Sequence, residues 1–576
     1  MLVLGFNSTH DCGAALIDDG RIVFAVEEER LTRCKHQGGF PARSLQACLD
    51  AHGVDWTAVD AVAHYWNPRS GLFRFGWHVL KNLPKSRTFF RRQPGIWSHM
   101  SGLPRRLREE FGFEGEFRHV DHHLAHAASC FFPSPFEEAA VLTLDGTGEW
   151  TTTLMAEGRG TNLRVVGRAG YPHSVGKVYE AVTQYLGFRP MSGEGKVMGL
   201  APYGEPRFIE LFRRLMRVDR RGRLRVDGRY FEYQYGRGTK YGPRLVAELG
   251  PARRPESELE PRHQDIAASL QLCLEEVALE LARRLRVDTG QRRLCVAGGV
   301  AFNSVMNGRL LRESGFDEIF VTPAANDSGA GLGAALWVHH VLKGGRERVP
   351  YPAPGLGPNF DEEACARALE TAGLRASRPK DFVEETARRI ARGRIVGWFD
   401  GRMEYGPRAL GHRSILGDPR RGDMKDRLNA RVKHREGFRP FAPSVLEERA
   451  AEWFDGARPS PHMLFVFPVK AEKRTAVPAI CHVDGSARVQ TVARSTQPRY
   501  HALLRAFEAE TGVPILVNTS FNVRGQPIVC TPADAIETFL GTDLDDLALG
   551  GFLVSKEDLP VAAVSPRRAV KEPLSR

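Results

Sequence analysis

No stretch of this 576-residue chain approaches the roughly 18 consecutive apolar residues that a membrane-spanning helix requires. The first residues carry no basic segment ahead of their apolar run, so we expect a buried strand there and no signal peptide. Nine cysteines, an odd number without a CxxC pair, argue against a disulfide scaffold and against structural zinc. These absences favour a protein of the reduced cytoplasm.

Charge is also not concentrated in any one place. The net charge is +12, yet the Lys and Arg residues recur in short local clusters and form no long tract. Such a balance is typical of a solvated surface, of a site for phosphate-bearing small ligands or of a nucleic-acid surface, and it does not choose among them. Because the chain is too long for one core, we expect about two to four globular domains.

A three-strand pattern occurs twice in the first third of the chain. Three apolar runs between residues 2 and 26 are separated by polar turns, one of them the hairpin signal Asp18-Asp19-Gly20. Three more runs between residues 140 and 166 repeat this order, with Asp145-Gly-Thr-Gly148 after the first. The repetition predicts a duplicated α/β domain with a cleft between its halves, by analogy with actin-like and sugar-kinase-like folds.

His122 and His126 lie four residues apart in a predicted helix, which places both imidazoles on one face. The apolar strand 139–144 then delivers Asp145 into a glycine-rich turn. Two His and a carboxylate with open positions suit a redox-capable divalent metal, Fe(II) first and Zn or Mn behind it. The spacing alone is also typical of solvated or core histidines, since the Glu of the metalloprotease motif is missing. Asp327, at a later strand-to-helix turn, can supply a further ligand.

Two strand-to-helix turns follow a core-packed helix predicted over residues 264–285. One turn contains Gly298-Gly299, and the other leads into a helix of small residues, 328–335. Glycines at a helix start let a phosphate approach the backbone N–H groups, and ordinary loop geometry explains them equally well. The basic, aromatic-rich segment 65–115 is a helical insertion or a lid, and 205–260 is predicted to be a surface excursion.

Residues 344–360, rich in Pro and Gly, form the clearest linker, and a second α/β domain is predicted beyond them. Its turn-like segments are dense in cationic and polar residues. Since Arg is a bidentate donor to phosphate, four such clusters favour a triphosphate or acyl-phosphate site over solvated faces. The clusters are Glu404, Arg408, His412 and Arg413; Lys433, Arg435 and Arg439; His482, Asp484, Arg488 and Gln490; and Asn518, Ser520 and Asn522.

Taken together, the motifs resemble those of the O-carbamoyltransferases of antibiotic tailoring and nodulation-factor synthesis, the NodU/CmcH type. The resemblance extends over almost the whole chain, with Cys12 and Gln526 as small departures. The N-terminal motifs that carry it are His10-Asp11 with 13–16, 27–33 with Lys35-His36, 122–126, 145–148, 192–204 and 298–303. The later motifs are 405–415, 433–443 and 518–522.

The resemblance implies a two-domain enzyme. Residues 1–345 resemble a duplicated actin-like domain of the Kae1-like type, residues 346–360 are the linker, and residues 361–576 resemble a YrdC-like α/β domain. In the YrdC-like domain, carbamoyl phosphate would be cleaved to carbamate, which attacks ATP to give carbamoyl adenylate and pyrophosphate. In the Kae1-like domain, the carbamoyl group would pass to a hydroxyl of a small natural-product acceptor.

The resemblance also implies roles for individual residues. The family's Fe(II) ligands match His122, His126, Asp145 and Asp327, and its proposed general base matches His10. Contacts to nucleotide or carbamoyl adenylate in the N-terminal domain match Lys35, Gly146, Gly148, Glu194, Lys196, Gly298, Gly299 and Asn303. Contacts to carbamoyl phosphate and to ATP with Mg in the C-terminal domain match Arg408, His412, Arg413, Lys433, Arg435, Arg439, His482, Arg488, Asn518, Ser520 and Asn522.

We therefore expect a small-molecule alcohol as partner, no membrane and no nucleic acid, while a homodimer stays open. One competing hypothesis is a tRNA threonylcarbamoyl-type transferase, since both domain types occur there too. Another is a non-catalytic nucleotide-binding regulator with an actin-like core. Release of pyrophosphate from ATP that depends on carbamoyl phosphate separates both alternatives from the main hypothesis.

Overall fold

The computed structural model describes residues 1–559, so the last part of the predicted C-terminal domain, 560–576, lies outside the described residues. By their internal contacts the described residues form two compact units. The first unit comprises residues 1–24 and 40–351, and the second comprises residues 25–39 and the chain from 352 onward. The predicted N-terminal domain was one continuous segment, whereas the second unit takes residues 25–39 out of it.

Several contacts tie the segment 25–39 to the second unit. Arg30 donates to the carbonyl of Gly406 at 2.9 Å, and the N–H of Gly406 donates to Glu27 at 2.9 Å. Leu31 packs against a buried apolar cluster of the same unit, which contains Met403. The second unit is therefore built from two stretches of sequence that are far apart in the chain.

Strands and helices alternate through the first 351 residues. The strands are β1 (Leu2–Asn7), β2 (Gly13–Asp18), β3 (Arg21–Glu27), β4 (Ala61–His64), β5 (Glu116–His119), β6 (Glu138–Leu144), β7 (Thr151–Arg159), β8 (Asn162–Gly170), β9 (Met216–Val218), β10 (Leu224–Val226), β11 (Arg293–Ala297) and β12 (Glu318–Val321). The helices are α1 (Glu28–Thr32), α2 (Ala42–His52), α3 (Leu72–Lys81), α4 (Arg87–Phe111), α5 (His122–Phe131), α6 (Val175–Tyr185), α7 (Glu194–Leu200), α8 (Ile209–Leu215), α9 (Pro243–Leu249), α10 (Pro261–Thr289), α11 (Ser304–Glu313) and α12 (Asp327–Trp337).

Two five-stranded sheets of this part of the chain share one topology. Their strand orders are β3-β2-β1-β4-β5 and β8-β7-β6-β11-β12. In each sheet the central strand is antiparallel to the strand that follows it and parallel to its other neighbour, as β1 is to β2 and β4, and β6 is to β7 and β11. The two predicted three-strand runs correspond to β1–β3 and β6–β8. The chain is thus a mixed α/β protein, as expected.

Helix α12 packs at backbone distance against β1 and α5, which explains its small residues. A Cβ atom on Gly333 would lie 1.8 Å from the Ala125 carbonyl oxygen of α5. A Cβ atom on Gly5 of β1 would lie 2.0 Å from the Gly331 carbonyl oxygen. Only glycine permits such approach, because any side chain would push the elements apart. Gly331 and Gly333 of this helix therefore serve its close packing against β1 and α5.

The segments left open by the sequence are now defined. Residues 65–115 contain α3 and α4 between the parallel strands β4 and β5, so this insertion is helical. Residues 205–260 contain α8, the two-stranded ribbon of β9 and β10, and α9. The helix predicted over 264–285 is α10, which is longer by a few residues at both ends. No helix among the described residues is long and apolar enough to cross a bilayer.

The second unit is built on one eight-stranded mixed sheet, of order β16-β17-β15-β18-β14-β13-β19-β20. Its strands are β13 (Val396–Phe399), β14 (Arg413–Gly417), β15 (Ala442–Leu446), β16 (Phe465–Pro468), β17 (Ser486–Val492), β18 (Ile515–Ser520), β19 (Asp546–Leu549) and β20 (Phe552–Ser555). Its helices are α1, given above, with α13 (Glu362–Thr371), α14 (Phe382–Ala391), α15 (Met424–Leu428), α16 (Ala450–Trp453), α17 (Pro498–Thr511) and α18 (Pro532–Leu540).

One expectation about the second unit was wrong in part. Arg488 and Gln490 lie within β17, and Asn518 lies within β18, although the sequence placed them in turn-like segments. Gln490 and Asn518 are buried within the sheet, which an alternation rule based on apolar residues does not detect.

The packing of α12 predicts a specific stability effect. Gly333→Ala should lower the free energy of unfolding by about 1–3 kcal/mol, the usual range for overpacking a tight contact. Gly102→Ala, in the exposed part of α4 where nothing lies within 4 Å of the added Cβ, is the matched control. It should be neutral or stabilising by about 0.5–1 kcal/mol, since Ala is the better helix former. Urea unfolding followed by circular dichroism measures both, and equal effects of the two substitutions would contradict the role given to the glycine in packing.

Candidate functional site

Four metal-ligating side chains of the first unit converge on one point. The Nε2 atom of His122 lies 3.1 Å from that of His126 and 3.1 Å from Oδ2 of Asp145. Oδ1 of Asp327 lies 3.5 Å from the Nε2 atom of His126. One ligand atom from each of the four residues lies within 4.8 Å of the other three. The structure thus brings together all four residues that the sequence offers as a metal site.

The topology explains this convergence. In both five-stranded sheets the parallel strands end at the same edge, and polar ligand sites of α/β proteins form at such carboxyl ends. His122 follows β5, Asp145 follows β6, and Asp327 follows β12 across a short turn. Gly148 leaves room for the first of these, because a Cβ atom there would lie 2.8 Å from Cβ of His122. The backbone N–H of Gly299, after β11, donates to Oδ1 of Asp145 at 2.9 Å.

Three residues that hold these ligands were not predicted from the sequence. Tyr65 donates from its hydroxyl to Oδ2 of Asp327 at 3.3 Å, and Thr9 lies 3.4 Å from the same oxygen. Glu149 accepts the backbone N–H of His122 at 3.0 Å. The signal that could have found Tyr65 and Thr9 is positional, since they follow the carboxyl ends of β4 and β1. Such partners orient metal ligands, and their loss usually weakens metal binding.

The electrostatics of the four donors favour a bound cation. Although burial alone would lower it, the carboxylates of Asp327 and Asp145 raise the pKa of His122 to about 9. Burial alone would raise the pKa of the Asp145 carboxyl. The hydrogen bond from His122 and the charge of His126 outweigh burial, and the pKa is lowered. Burial raises the pKa of Glu149 to about 7. Two carboxylates and two imidazole nitrogens in a buried site fit a divalent metal ion of the borderline class.

His10 lies on the β1–β2 turn, which is fastened to the start of α12. Its Nδ1 atom is 3.0 Å from Oδ2 of Asp11, and Asn326 donates to the same carboxylate at 3.1 Å. On the other side of His10, Thr9 contacts Asp327 as described above. The side chain of His10 is 32% exposed, so it reaches solvent while its neighbours are fixed.

Other residues of the N-terminal domain were predicted to contact nucleotide, and three of them lie at strand or helix ends. Gly146 borders Lys177, whose Cε would lie 3.6 Å from a Cβ atom added to the glycine. Asn303 is engaged within the fold instead, since its Oδ1 caps α11 by accepting the Met306 N–H at 2.9 Å and its Nδ2 donates to Gln271 at 2.8 Å. Gly298 has a φ of +92° and meets the end of β6, which ordinary loop geometry explains.

Two residues of α7 complete the N-terminal set. Glu194 accepts the N–H of Met191 at 2.8 Å, and burial raises the pKa of its carboxyl. Lys196 lies over the ring of Phe188, 5.5 Å from its centroid. Lys35, predicted for the N-terminal site, belongs to the second unit, where its charge acts on Lys433.

Four partly buried arginines, Arg408, Arg435, Arg439 and Arg488, form a group of cations in the second unit, and we call it the cation cluster. Burial, with the charge of Arg439, lowers the pKa of Arg408 to about 10 and that of Arg435 to about 9. Burial and the charges of the other three arginines lower the pKa of Arg488 well below its ordinary value. Glu436 is a carboxylate that partly offsets the cluster, at 4.0 Å from Arg439. Cations that depress one another's pKa in this way form a candidate site for an anion.

Lys433 joins this cluster through its own group of acceptors. Burial, then the charges of Arg435 and Arg439, lower the pKa of its ammonium well below the ordinary value. Its Nζ atom donates to the carbonyl and the side-chain oxygen of Asn522, each at 2.9 Å, and to the hydroxyl of Ser520 at 3.2 Å. Ser520 and Asn522 therefore position the lysine.

Four predicted anion ligands are held by protein groups instead. Arg413 is fully buried, donates to three backbone carbonyls at 3.0–3.1 Å and stacks on the ring of Phe399. His412 contacts the Asp400 carbonyl at 3.2 Å, and Asn518 donates to Ser444 at 2.9 Å. His482 lies 3.4 Å from the Phe438 carbonyl. These contacts hold Arg413 and Asn518 in strands β14 and β18, and they hold His412 and His482 in the turns before β14 and β17.

Comparison with known proteins identifies the protein family of this chain. The family model "Carbamoyltransferase N-terminus" matches residues 2–336, and "Carbamoyltransferase C-terminus" matches residues 387–556. The chain therefore belongs to the carbamoyltransferase family, as the resemblance of its motifs implied.

Individual relatives agree with this assignment. The chain is similar to nodulation protein NolNO of Sinorhizobium fredii, with 42% identity over 95% of this chain and 79% of the relative. It is 31% identical to nodulation protein U of the same species, over 93% of this chain and 96% of the relative. Among solved structures, full-length HypF in its phosphate- and nucleotide-bound form aligns with 60% of this chain and 47% of its own, with a TM-score of 0.32 and 15% identity. That value is too low to establish a shared fold.

The cation cluster predicts that Arg488→Gln stabilises the protein without ligand. Removing one buried charge that neighbouring cations repel should raise the free energy of unfolding by about 1–2 kcal/mol. Arg458→Gln, an exposed arginine of the same unit, should change it by less than about 0.5 kcal/mol. Pyrophosphate should raise the melting temperature of the wild type more than that of Arg488→Gln, because a ligand stabilises the state that binds it. A destabilised Arg488→Gln protein with an unchanged response to pyrophosphate would contradict the assignment of these cations to an anion site.

Proposed function

We propose that this protein is an ATP-dependent O-carbamoyltransferase. In the second unit, carbamoyl phosphate is hydrolysed to carbamate and phosphate, and a carbamate oxygen attacks the α-phosphorus of ATP to give carbamoyl adenylate and pyrophosphate. In the first unit, the hydroxyl oxygen of a small-molecule acceptor attacks the carbamoyl carbon, and AMP leaves. The observation that carries the proposal is the cation cluster, which lies within a member of the carbamoyltransferase family.

The cation cluster is suited to the first reaction because both substrates are phosphate esters or anhydrides. Arg408, Arg435 and Arg439 would bind the phosphate oxygens of the substrates as bidentate donors. Arg488, which lies on strand β17, would neutralise part of the negative charge of the phosphates. Lys433, held by the oxygens of Ser520 and Asn522, is a point charge that needs no rearrangement when the anion arrives. Fixed donors of this kind stabilise charge as it develops on the leaving pyrophosphate.

The four donors of the first unit would hold a divalent metal, and we propose Fe(II) with His122, His126, Asp145 and Asp327 as ligands. Bound there, the metal would supply Lewis-acid stabilisation of negative charge on oxygen. Tyr65 and Thr9 keep Asp327 in place. Glu149 fixes the start of helix α5, which carries both histidines. Burial of the ligands limits access of water, which would otherwise hydrolyse carbamoyl adenylate.

His10 is proposed as the general base of the transfer. An alcohol becomes a good nucleophile when its proton is taken, and the imidazole is the side chain suited to this near neutral pH. His10 is partly exposed and stands between two residues that contact the start of α12. Oδ2 of Asp11, 3.0 Å from Nδ1 of His10, would orient the ring for this role.

The finer assignment of the folds is part of the same proposal. The shared topology of the two five-stranded sheets supports a duplicated, Kae1-like first unit. The mixed eight-stranded sheet with the cation cluster supports a YrdC-like second unit. Within this assignment the acceptor is a small natural-product alcohol whose identity a screen by mass shift of one carbamoyl group would find.

The first reaction makes a direct prediction. The wild type should release pyrophosphate from ATP only when carbamoyl phosphate is present. Arg439→Ala should lower this release by about 100-fold or more, because one buried charge-assisted contact to the anion is lost. The same variant should still transfer the carbamoyl group from supplied carbamoyl adenylate, and Arg458→Ala should behave as the wild type. Pyrophosphate release without carbamoyl phosphate, or normal release by Arg439→Ala, would refute the assignment of the first reaction.

The second reaction predicts a separation between metal binding and proton transfer. Protein purified without oxygen should contain about one iron per chain, which His126→Ala should lose, because a site of this kind needs its imidazoles. His10→Asn should keep the iron and the release of pyrophosphate, while transfer falls by about 10²–10⁴-fold. His123→Asn, beside the pair and hydrogen-bonded to Thr143, is the control and should keep the metal. Full iron in the His122→Ala, His126→Ala double variant, or normal transfer by His10→Asn, would overturn the corresponding role.

A further inference from the structure

Helix α3 presents large apolar side chains to solvent. Phe73 is 86% exposed, Trp77 is 64% exposed and Leu80 is 66% exposed. Their spacing of four and three residues places them on one side of the helix. Phe75 and Val79, on the other side, are buried. The helix is therefore apolar both toward the protein and away from it.

The buried side of α3 is fixed to the first unit, so the exposed side is a formed surface. The ring of Phe75 packs against those of Phe89 and Trp97 of α4, with centroids 5.2 and 5.4 Å away. His78 hydrogen-bonds the Gln234 carbonyl at 3.0 Å. These contacts hold the helix while leaving its outer side uncovered.

Three further large apolar side chains are exposed in the residues that follow α3. Leu83 in the following turn is 52% exposed, as is Phe90 of α4, and Ile96 of the same helix is 39% exposed. We call the set Phe73, Trp77, Leu80, Leu83, Phe90 and Ile96 the apolar face. Surfaces of this kind commonly mark sites where another molecule or a membrane binds.

The segment of chain that carries the apolar face has charges of one sign. Between residues 61 and 104 the chain contains seven Lys and Arg residues and no Asp or Glu. Those whose side chains are described as exposed are Arg69, Arg74, Lys81, Lys85, Arg87 and Arg91. A partner of this surface must therefore be apolar and negatively charged.

We propose that the apolar face docks on the surface of a bilayer that contains anionic lipids. Side chains of Phe, Trp and Leu on a helix with flanking Lys and Arg are the composition of helices that lie in the membrane interface. Anionic headgroups attract each nearby base, while the apolar side chains enter the acyl boundary. This association is peripheral, and it differs from the expectation of no membrane that was drawn from the sequence.

Two other partners fit the face less well. A second copy of this chain would bring two surfaces of the same positive sign together, which like-charge repulsion disfavours. A nucleic acid would satisfy the charge, yet Leu80, Leu83 and Ile96 offer neither a stacking ring nor a hydrogen bond to a base. A lipid surface uses both the charge and the aliphatic side chains.

Co-sedimentation of the full chain with vesicles tests the proposal. The protein should bind vesicles of phosphatidylcholine with about 30% phosphatidylglycerol roughly tenfold or more tightly than vesicles of phosphatidylcholine alone, and salt should weaken the binding. Phe73→Ser with Leu80→Ser should weaken binding by about tenfold or more, because two apolar side chains no longer leave water. Arg74→Gln with Lys81→Gln should reduce the preference for the anionic vesicles by a similar factor.

Val287→Ser is the matched control, since Val287 of α10 is 77% exposed and lies outside the apolar face. It should bind vesicles as the wild type does, and thermal unfolding should show all variants folded. Equal binding to neutral and anionic vesicles, or equal loss on Val287→Ser, would overturn the proposal. So would a self-association, or a binding of single-stranded RNA, that the Phe73→Ser, Leu80→Ser variant abolishes while vesicle binding is absent. None of these readouts depends on carbamoyl transfer.

Discussion

The backbone contact of α12 with β1 and α5 is the constraint on which the first unit depends. Glycines on both sides of these contacts allow the helix to approach until side chains no longer separate the elements. The approach places the start of α12, with Asp327, beside the start of α5, with His122, and beside the β1–β2 turn, with His10. This packing therefore sets the distances among His10, His122 and Asp327, and a shift of about an ångström there would change the geometry of the candidate site.

The second unit is constrained by the repulsion among its clustered cations. It holds several cations near one another, and their mutual repulsion is a cost to its stability. The neutral acceptors around Lys433 and the nearby carboxylate of Glu436 limit this cost. The proposed anion site would thus trade stability for function, which is a common compromise.

Prediction from sequence succeeded where the signal is local and failed where it is not. The four-residue spacing of His122 and His126 predicted that both imidazoles share one helix face, and the strand before Asp145 placed that carboxylate at a strand end. The grouping of these three residues with Asp327 was implied by the family resemblance. Arg413 and Asn518 resembled anion ligands, but their partners are carbonyls and hydroxyls, several of them far away in the chain, which composition does not reveal. Tyr65 was missed for the same reason. It follows strand β4, whereas Asp327, which accepts its hydrogen bond, follows strand β12 and is far away in the chain.

The segment 25–39 has a consequence for how the protein is made. It leaves the ribosome between two parts of the first unit, while the rest of its own unit is translated only after residue 351. Arg30 and Leu31 can therefore contact Gly406 and Met403 only after these later residues have been synthesised. The first unit can fold before those contacts form. A fragment that begins at residue 352 would lack Lys35 and helix α1, so the second unit, although compact, is not a separable piece of the gene.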